Sequence, residues 1–270
     1  MGKTVCCIIA RSVSNRLPLK VLRKVTSEYT MLSYIIERMK LVNSIDEVFI
    51  CTSNEPVDDI FEDIAEEHNI GIYRGSPSQV TERMLSVADI TKADVLIRVT
   101  GDNVFTSFEY LDKQIEIIRK DELDYIRVVN VPVGATAEVI RTKALRHCHE
   151  NMDPDISEYL MLFIFNPDVY KCGVMRLSNE VDYSNYTLTV DLKEDLIRTK
   201  EILNAFNGKK LSINLSQIVS IVDSENLENC HYLPSGDVKL PYGKIVPFSE
   251  FKADMDARIN KAQAYIIDEI

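Results

Sequence analysis

The sequence predicts an α/β protein with a three-layer α/β/α architecture around a mostly parallel central sheet. Through the first 120 residues, short apolar runs alternate with stretches of helical periodicity, the order of elements in a doubly wound sheet. The runs are continuously apolar, as strands buried on both faces should be. The first run opens into a loop, residues 11–20, rich in basic and polar side chains. Open α/β sheets bind ligands at the carboxyl ends of their strands, where this loop falls.

Residues 4–10 (TVCCIIA) make the first strand. A helix over 30–41 follows from Met31, Ile35, Ile36, Met39 and Val42 at helical spacing. Residues 47–52 are a second strand, and Ser53, Asn54 and Pro56 open a helix over 57–68. The third strand, 70–73, runs into the turn Arg74-Gly75-Ser76-Pro77 and a helix over 78–90. The fourth, 94–100, ends in Gly101-Asp102, with a helix over 107–120 behind it. Beyond that point 124–130 and 136–140 read as strands, and 141–150 and 154–163 as helices. Residues 186–191 read as a strand delivering Asp191 at its end, before a helix over 193–206 closed by Asn207-Gly208 and a short helix over 215–223.

From residue 224 the chain is polar and turn-rich until 248. Phe251, Met255, Ile259, Ala262 and Ile266 then mark an amphipathic helix running to the end. We expect a main domain over 1–223 and a C-terminal extension over 224–270. The apolar face of that helix needs a cover: its own domain, a second copy in a homodimer, or a further domain.

No run approaches the ~18 apolar residues that span a membrane. The apolar start, Met1–Ala10, lacks a small-residue cleavage site and reads as a strand rather than a signal peptide. A cytoplasmic location is expected. The six cysteines show no paired metal-binding spacing. A net charge of −11 argues against general nucleic-acid binding. Residues 1–27 hold six basic groups and no acid, so the remainder carries −17 against the chain's −11. An acidic protein with one concentrated basic loop suits one particular anion.

In the loop from Ala10 to Lys20, Arg11, Arg16 and Lys20 are natural partners of phosphate oxygens. Ser12, Ser14 and Asn15 add neutral donors. A solvated basic loop is the other reading of the same residues. Asp102 and Asp191 each follow a predicted strand and so face the same end of the sheet. Two carboxylates there can hold Mg²⁺ against phosphate oxygens, or each can cap a helix.

The spacing Ala-Arg-x-x-Ser-x-Arg-Leu-Pro-x-Lys after a first strand resembles the signature of cytidylyltransferases that activate sugar acids, above all the spore-coat polysaccharide type. The resemblance continues through Thr52-Ser53-Asn54 with Asp58-Asp59, Arg74-Gly75-Ser76, Gly101-Asp102, Gly134 with Glu138, and Thr189-Val190-Asp191 with Glu194-Asp195, covering roughly residues 3–206. It implies a nucleotide-diphospho-sugar transferase (GT-A-like) fold. It further implies CTP as substrate, Mg²⁺ held by Asp102 and Asp191, and catalysis by Arg11, Arg16 and Lys20. Ala10, Ser12, Ser14, Asn15, Ser53, Arg74 and Asp102 would contact the nucleotide. Glu138 and Glu158 would face the acceptor, a sugar acid or phosphorylated small molecule, for surface polysaccharide or related biosynthesis.

Val13 and Leu19 stand where the family commonly has glycine. Ser157-Glu158-Tyr159-Leu160 replaces a usual Arg-Glu-His and small hydroxyl residue. Two further readings stay open: a non-catalytic nucleotide-binding module of the same fold, and a transferase using another nucleoside triphosphate.

Overall fold

The structure, a computed structural model, describes residues 2–14, 16–178, 181–231 and 235–268. The first half follows the expected alternation. β1 (Lys3–Ile9), α1 (Met31–Met39), β2 (Glu47–Ser53), α2 (Ile60–Glu67), β3 (Gly71–Gly75), α3 (Val80–Thr91), β4 (Ala93–Thr100) and α4 (Leu111–Lys120) succeed one another. β1 is buried on both sides: Cys6 and Ile8 face one core layer, Val5 and Cys7 the other, all without exposure. That double burial is why the run carries no polar alternation. Helix starts are fixed locally. The Thr30 hydroxyl accepts the Ser33 N–H while the Ser33 hydroxyl accepts the Thr30 N–H, a reciprocal cap on α1.

The second half holds β5 (Tyr125–Val128), β6 (Glu138–Arg141), α5 (Thr142–Asn151), α6 (Leu160–Ile164), β7 (Cys172–Leu177), α7 (Lys193–Ala205), α8 (Leu215–Ser224), β8 (Asp237–Lys239), β9 (Ile245–Pro247), α9 (Phe248–Lys261) and β10 (Gln263–Ile267). The central sheet has eight strands in the order β10-β7-β5-β6-β4-β1-β2-β3. β6 runs antiparallel to both its neighbours, and every other pairing is parallel. β8 and β9 form a separate two-stranded hairpin.

The structure differs from the sequence-based expectation at four places. Residues 172–177 form a strand that the sequence reading did not propose; Cys172 and Val174 bury on one face, Met175 and Leu177 on the other, so no alternation marks it. Residues 186–191 are not a regular strand. They make only single bridges, Thr187 to Val133 and Tyr186 to His231, because the facing chain turns away at Gly134 with φ 89°. The C-terminal helix does not run to the end: α9 stops at Lys261, and β10 joins the sheet beside β7. Tyr265 and Ile267 turn inward in β10, and the Tyr265 hydroxyl donates to Asp121 Oδ2 at 2.5 Å. Over five residues, apolar groups at period 2 are hard to separate from one turn of a helix. The expected helix over 154–163 is a 3₁₀ segment, Pro154–Tyr159, followed by the short α6. Ile270, the last apolar residue of the expected helix, lies outside the described residues.

Candidate active site

A cleft of about 670 Å³ opens at the carboxyl ends of β1 and β4. Ala10 and Gly101 line it together with Arg11, Ser14, Arg16 and Lys20 from the basic loop. Asp102, Arg83, Arg98 and Glu158 also line it. A Cβ on Gly101 would lie 3.2 Å from the Ile9 carbonyl oxygen and 3.1 Å from Val21 Cγ1, so glycine lets the two strand ends close up.

The loop is held from beneath. The Ser12 N–H donates to Asp58 Oδ1 at 2.7 Å, its hydroxyl to the Val57 carbonyl at 3.1 Å, and the Ser53 hydroxyl to Asp58 Oδ2 at 2.5 Å. Burial pushes the Asp58 carboxyl up, but the bonds from Ser53 and Ser12 outweigh it and hold the group below its ordinary value. The Leu19 N–H reaches back to the Ser12 carbonyl at 3.3 Å, which closes the loop. Leu19 takes φ 55° and ψ 30°, the left-handed region. A side chain there costs about 1–2 kcal/mol that glycine avoids. Val13 is not left-handed, so of the two missing glycines only the second strains the backbone.

Lys20 draws the two aspartates together. Its Nζ lies 2.9 Å from Asp102 Oδ2, 3.0 Å from Asp191 Oδ1 and 3.1 Å from the Val190 carbonyl. Arg16 adds a bond to Asp191 Oδ1 at 2.8 Å. Asp191 gets there without a strand because the Val190 N–H donates to the Asp102 carbonyl at 3.0 Å. Asp195, in the first turn of α7, accepts the Asp191 and Leu192 N–H groups at 2.9 and 2.8 Å. Gly134 lets this segment pass close: a Cβ there would stand 2.7 Å from the Thr189 nitrogen.

The donor set fits Mg²⁺. That ion takes one or two carboxylates and fills its remaining positions with water and phosphate oxygens. The two aspartates already share one cationic group between them, the Lys20 ammonium. Among the described residues no group of three or more His, Cys, Asp or Glu side chains forms a closed cage.

Several expected nucleotide or acceptor residues fall elsewhere. Arg74 does not line the cleft. It donates to the Ser53 and Glu55 carbonyls at 3.1 and 3.0 Å and pairs with Asp59 and Glu62 at 2.5 Å each. Its charge is spent on the β2–α2 corner. Ser53 is wholly buried and acts on the loop through Asp58. Ser12 is likewise buried and anchors rather than faces the cleft. Asn15 lies outside the described residues. Glu138 is 5% exposed, with one oxygen ion-paired to Arg98 and the other accepting the Tyr125 hydroxyl at 2.8 Å. It therefore holds Arg98, which does line the cleft, rather than meeting an acceptor itself. Glu158 lines the cleft with an exposed side chain, and its carbonyl accepts an Arg98 N–H at 3.2 Å.

Two arginines of the cleft were not among the residues expected from sequence. Arg83 is 1% exposed and has no carboxylate partner among the described residues; it donates to the Cys51 carbonyl at 3.1 Å. Burial pushes its guanidinium below the ordinary value, and the nearby Arg11 charge pushes the same way. The signal was an arginine on the buried stripe Val80, Arg83, Met84 and Val87 of α3. Arg98 similarly interrupts the apolar run of β4.

Comparisons with known proteins speak to the fold and the family. The chain is 29% identical over 230 residues to the spore coat polysaccharide biosynthesis protein SpsF of Bacillus subtilis, covering 83% of this chain and 95% of that one. A cytidylyltransferase structure from Leptospira borgpetersenii superposes with a TM-score of 0.76 at 23% identity, covering 84% of this chain and 96% of that one. A CMP:2-keto-3-deoxy-manno-octonic acid synthetase structure complexed with CTP gives a TM-score of 0.59 at 16% identity, covering 75% and 98%. These two structures speak for the fold. Residues 5–207 match the family described as cytidylyltransferase, and the chain belongs to that family of nucleotidyltransferases.

Proposed function

We propose that the cleft transfers the cytidylyl group of CTP to an acceptor oxygen, which attacks the α-phosphorus as pyrophosphate leaves. The observation that carries this reading is the Lys20 ammonium seated between Asp102 and Asp191 at the mouth of β1 and β4. Arg11, Arg16 and Lys20 bind and neutralise the triphosphate, and Ser14 supplies a neutral donor. Phosphoryl chemistry needs little covalent help from the protein, so alignment and charge stabilisation dominate. Asp102 and Asp191 would hold Mg²⁺, which when bound supplies charge stabilisation to phosphate oxygens. Lys20 then exchanges its carboxylate partners for phosphate. The acceptor is a sugar acid or a phosphorylated small molecule destined for surface polysaccharide or a related glycoconjugate. Six buried free thiols suit a reducing cytoplasm, and no helix among the described residues is long and apolar enough to cross a membrane.

A pyrophosphate-release screen of the four nucleoside triphosphates against sugar acids, sugar phosphates and phosphonates tests the reading. Release with CTP and one acceptor class is expected. No release with any pair, or equal release with all four nucleotides, would overturn it.

A further inference from the structure

A row of charge crosses the sheet beside the cleft. Arg98 of β4 stands opposite Glu138 of β6, which stands opposite Arg127 of β5. Arg127 stands opposite Val174 of β7, and Arg176 lies two residues beyond it on the same face. Diagonal neighbours in a sheet are about 7–8 Å apart, within reach of two long side chains converging on one group. All four residues lie toward the strand ends that bear the cleft, and Arg98 lines it.

The charges in this row do not balance. Three guanidiniums share one carboxylate, and Glu138 is already taken by Arg98 and Tyr125. Eight arginines of the described chain have a buried, unpaired Nε: Arg38, Arg83, Arg98, Arg119, Arg127, Arg141, Arg176 and Arg198. Six of them anchor their terminal N–H groups on carbonyls or carboxylates. Arg127 and Arg176, both half-buried, make no such bond within the described residues. Partly buried guanidiniums without a counter-ion suit an incoming anion, which their planar forks grip bidentately.

We infer that Arg127 and Arg176, continued by Arg98, form an anion subsite for the acceptor, and that its ligand is a phosphate or phosphonate monoester. The excess of two positive charges matches a dianion better than a single carboxylate. The subsite rests on the cytidylyl-transfer reading for its role: an acceptor anchored there by its phosphate would extend its nucleophilic oxygen along Arg98 into the cleft.

The test separates the two ideas. Inorganic phosphate, and acetate in a parallel arm, are titrated calorimetrically into the full chain already saturated with α,β-methylene CTP and Mg²⁺, so that the triphosphate site is filled. Phosphate should bind, and acetate at least tenfold more weakly. R127Q/R176Q should weaken phosphate at least tenfold, as loss of charge-assisted hydrogen bonds demands, and leave the affinity for the CTP analogue within about twofold. R127K/R176K keeps the charge and should show a smaller loss; it decides the matter if the glutamine variant does not fold. Phosphate affinity unchanged in the variants, no phosphate binding by the wild type, or acetate binding as tightly would overturn the subsite. If the CTP analogue itself fails to bind, the reading of the cleft falls, while the same phosphate titration without nucleotide still judges the arginines.

Discussion

The two halves of the sheet are built on different terms. From β3 to β4 every strand is parallel, and each cation at the cleft mouth that meets Asp102 or Asp191 is balanced by them. From β6 to β10 the sheet contains the antiparallel β6, and arginines outnumber carboxylates along its cleft-bearing end. On the proposed function, the first half is a socket whose ion pairs are exchanged for the triphosphate. The chain departs from the common family pattern in both halves, at Val13 and Leu19 in the loop after β1 and at Ser157–Leu160 in the second half. On the proposed function, nucleotide chemistry falls to one half and acceptor choice to the other.

The sharpest way to break that division is to remove a carboxylate of the socket. Asp102→Ala should cut pyrophosphate release by about 10²–10³-fold, the usual loss when one preorganised electrostatic contact is deleted, with little change in melting temperature. A rate within a few-fold of wild type would contradict the assignment.

In the other half, Glu138→Ala should act first on stability. It leaves the largely buried Arg98 without its counter-charge, a loss of ~3 kcal/mol, to be read in urea unfolding. Glu138→Gln keeps the Tyr125 hydrogen bond and should lose less. Equal stability of Glu138→Ala and wild type would mean that Arg98 is not held by this pair.

Asp58 tests how far the socket depends on its foundation. Asp58→Ala strands the buried Ser12 N–H and Ser53 hydroxyl, at about 2 kcal/mol, and should weaken CTP binding by loosening the loop. The Asp58 carboxyl lies below its ordinary value in the fold. Its contribution is thus full above the unfolded-state value and is lost as pH falls through the folded one. The stability gap between wild type and Asp58→Asn should accordingly narrow on acidification, and a gap that widens would contradict the hydrogen-bonding scheme. Leu19→Gly carries the smallest effect, a gain of about 0.5 kcal/mol: relief of the left-handed strain exceeds the added chain entropy only slightly. A lower melting temperature would show that the Leu19 side chain matters more than its backbone.

The sequence exposed the parallel half well because each strand there is a continuous apolar run and each helix carries one apolar stripe. Arg11, Ser14, Arg16, Lys20 and Asp102 line the cleft as the loop spacing and the end of β4 suggested, whereas Asp191 reaches Lys20 and Arg16 without the strand expected to deliver it. β7 stayed hidden because burial on both faces meets an internal arginine, and β10 because five residues cannot separate two periods. Arg74 misled for a different reason. It sits at the carboxyl end of β3, where ligands bind, but Asp59 and Glu62 at the start of the preceding helix α2 claim it first. Arg83 was invisible as a site residue because its neighbours in sequence are core residues, and only packing turns that helix toward the cleft.

The most direct test follows the label of CTP carrying ³²P at its α-phosphorus, with the acceptor found in the release screen, for wild type and Lys20→Ala. Label should pass to the acceptor with the wild type, and transfer should be slower by about 10²–10³-fold in the variant, with the fold intact. Label that never leaves the nucleotide, or equal transfer by both proteins, would contradict it.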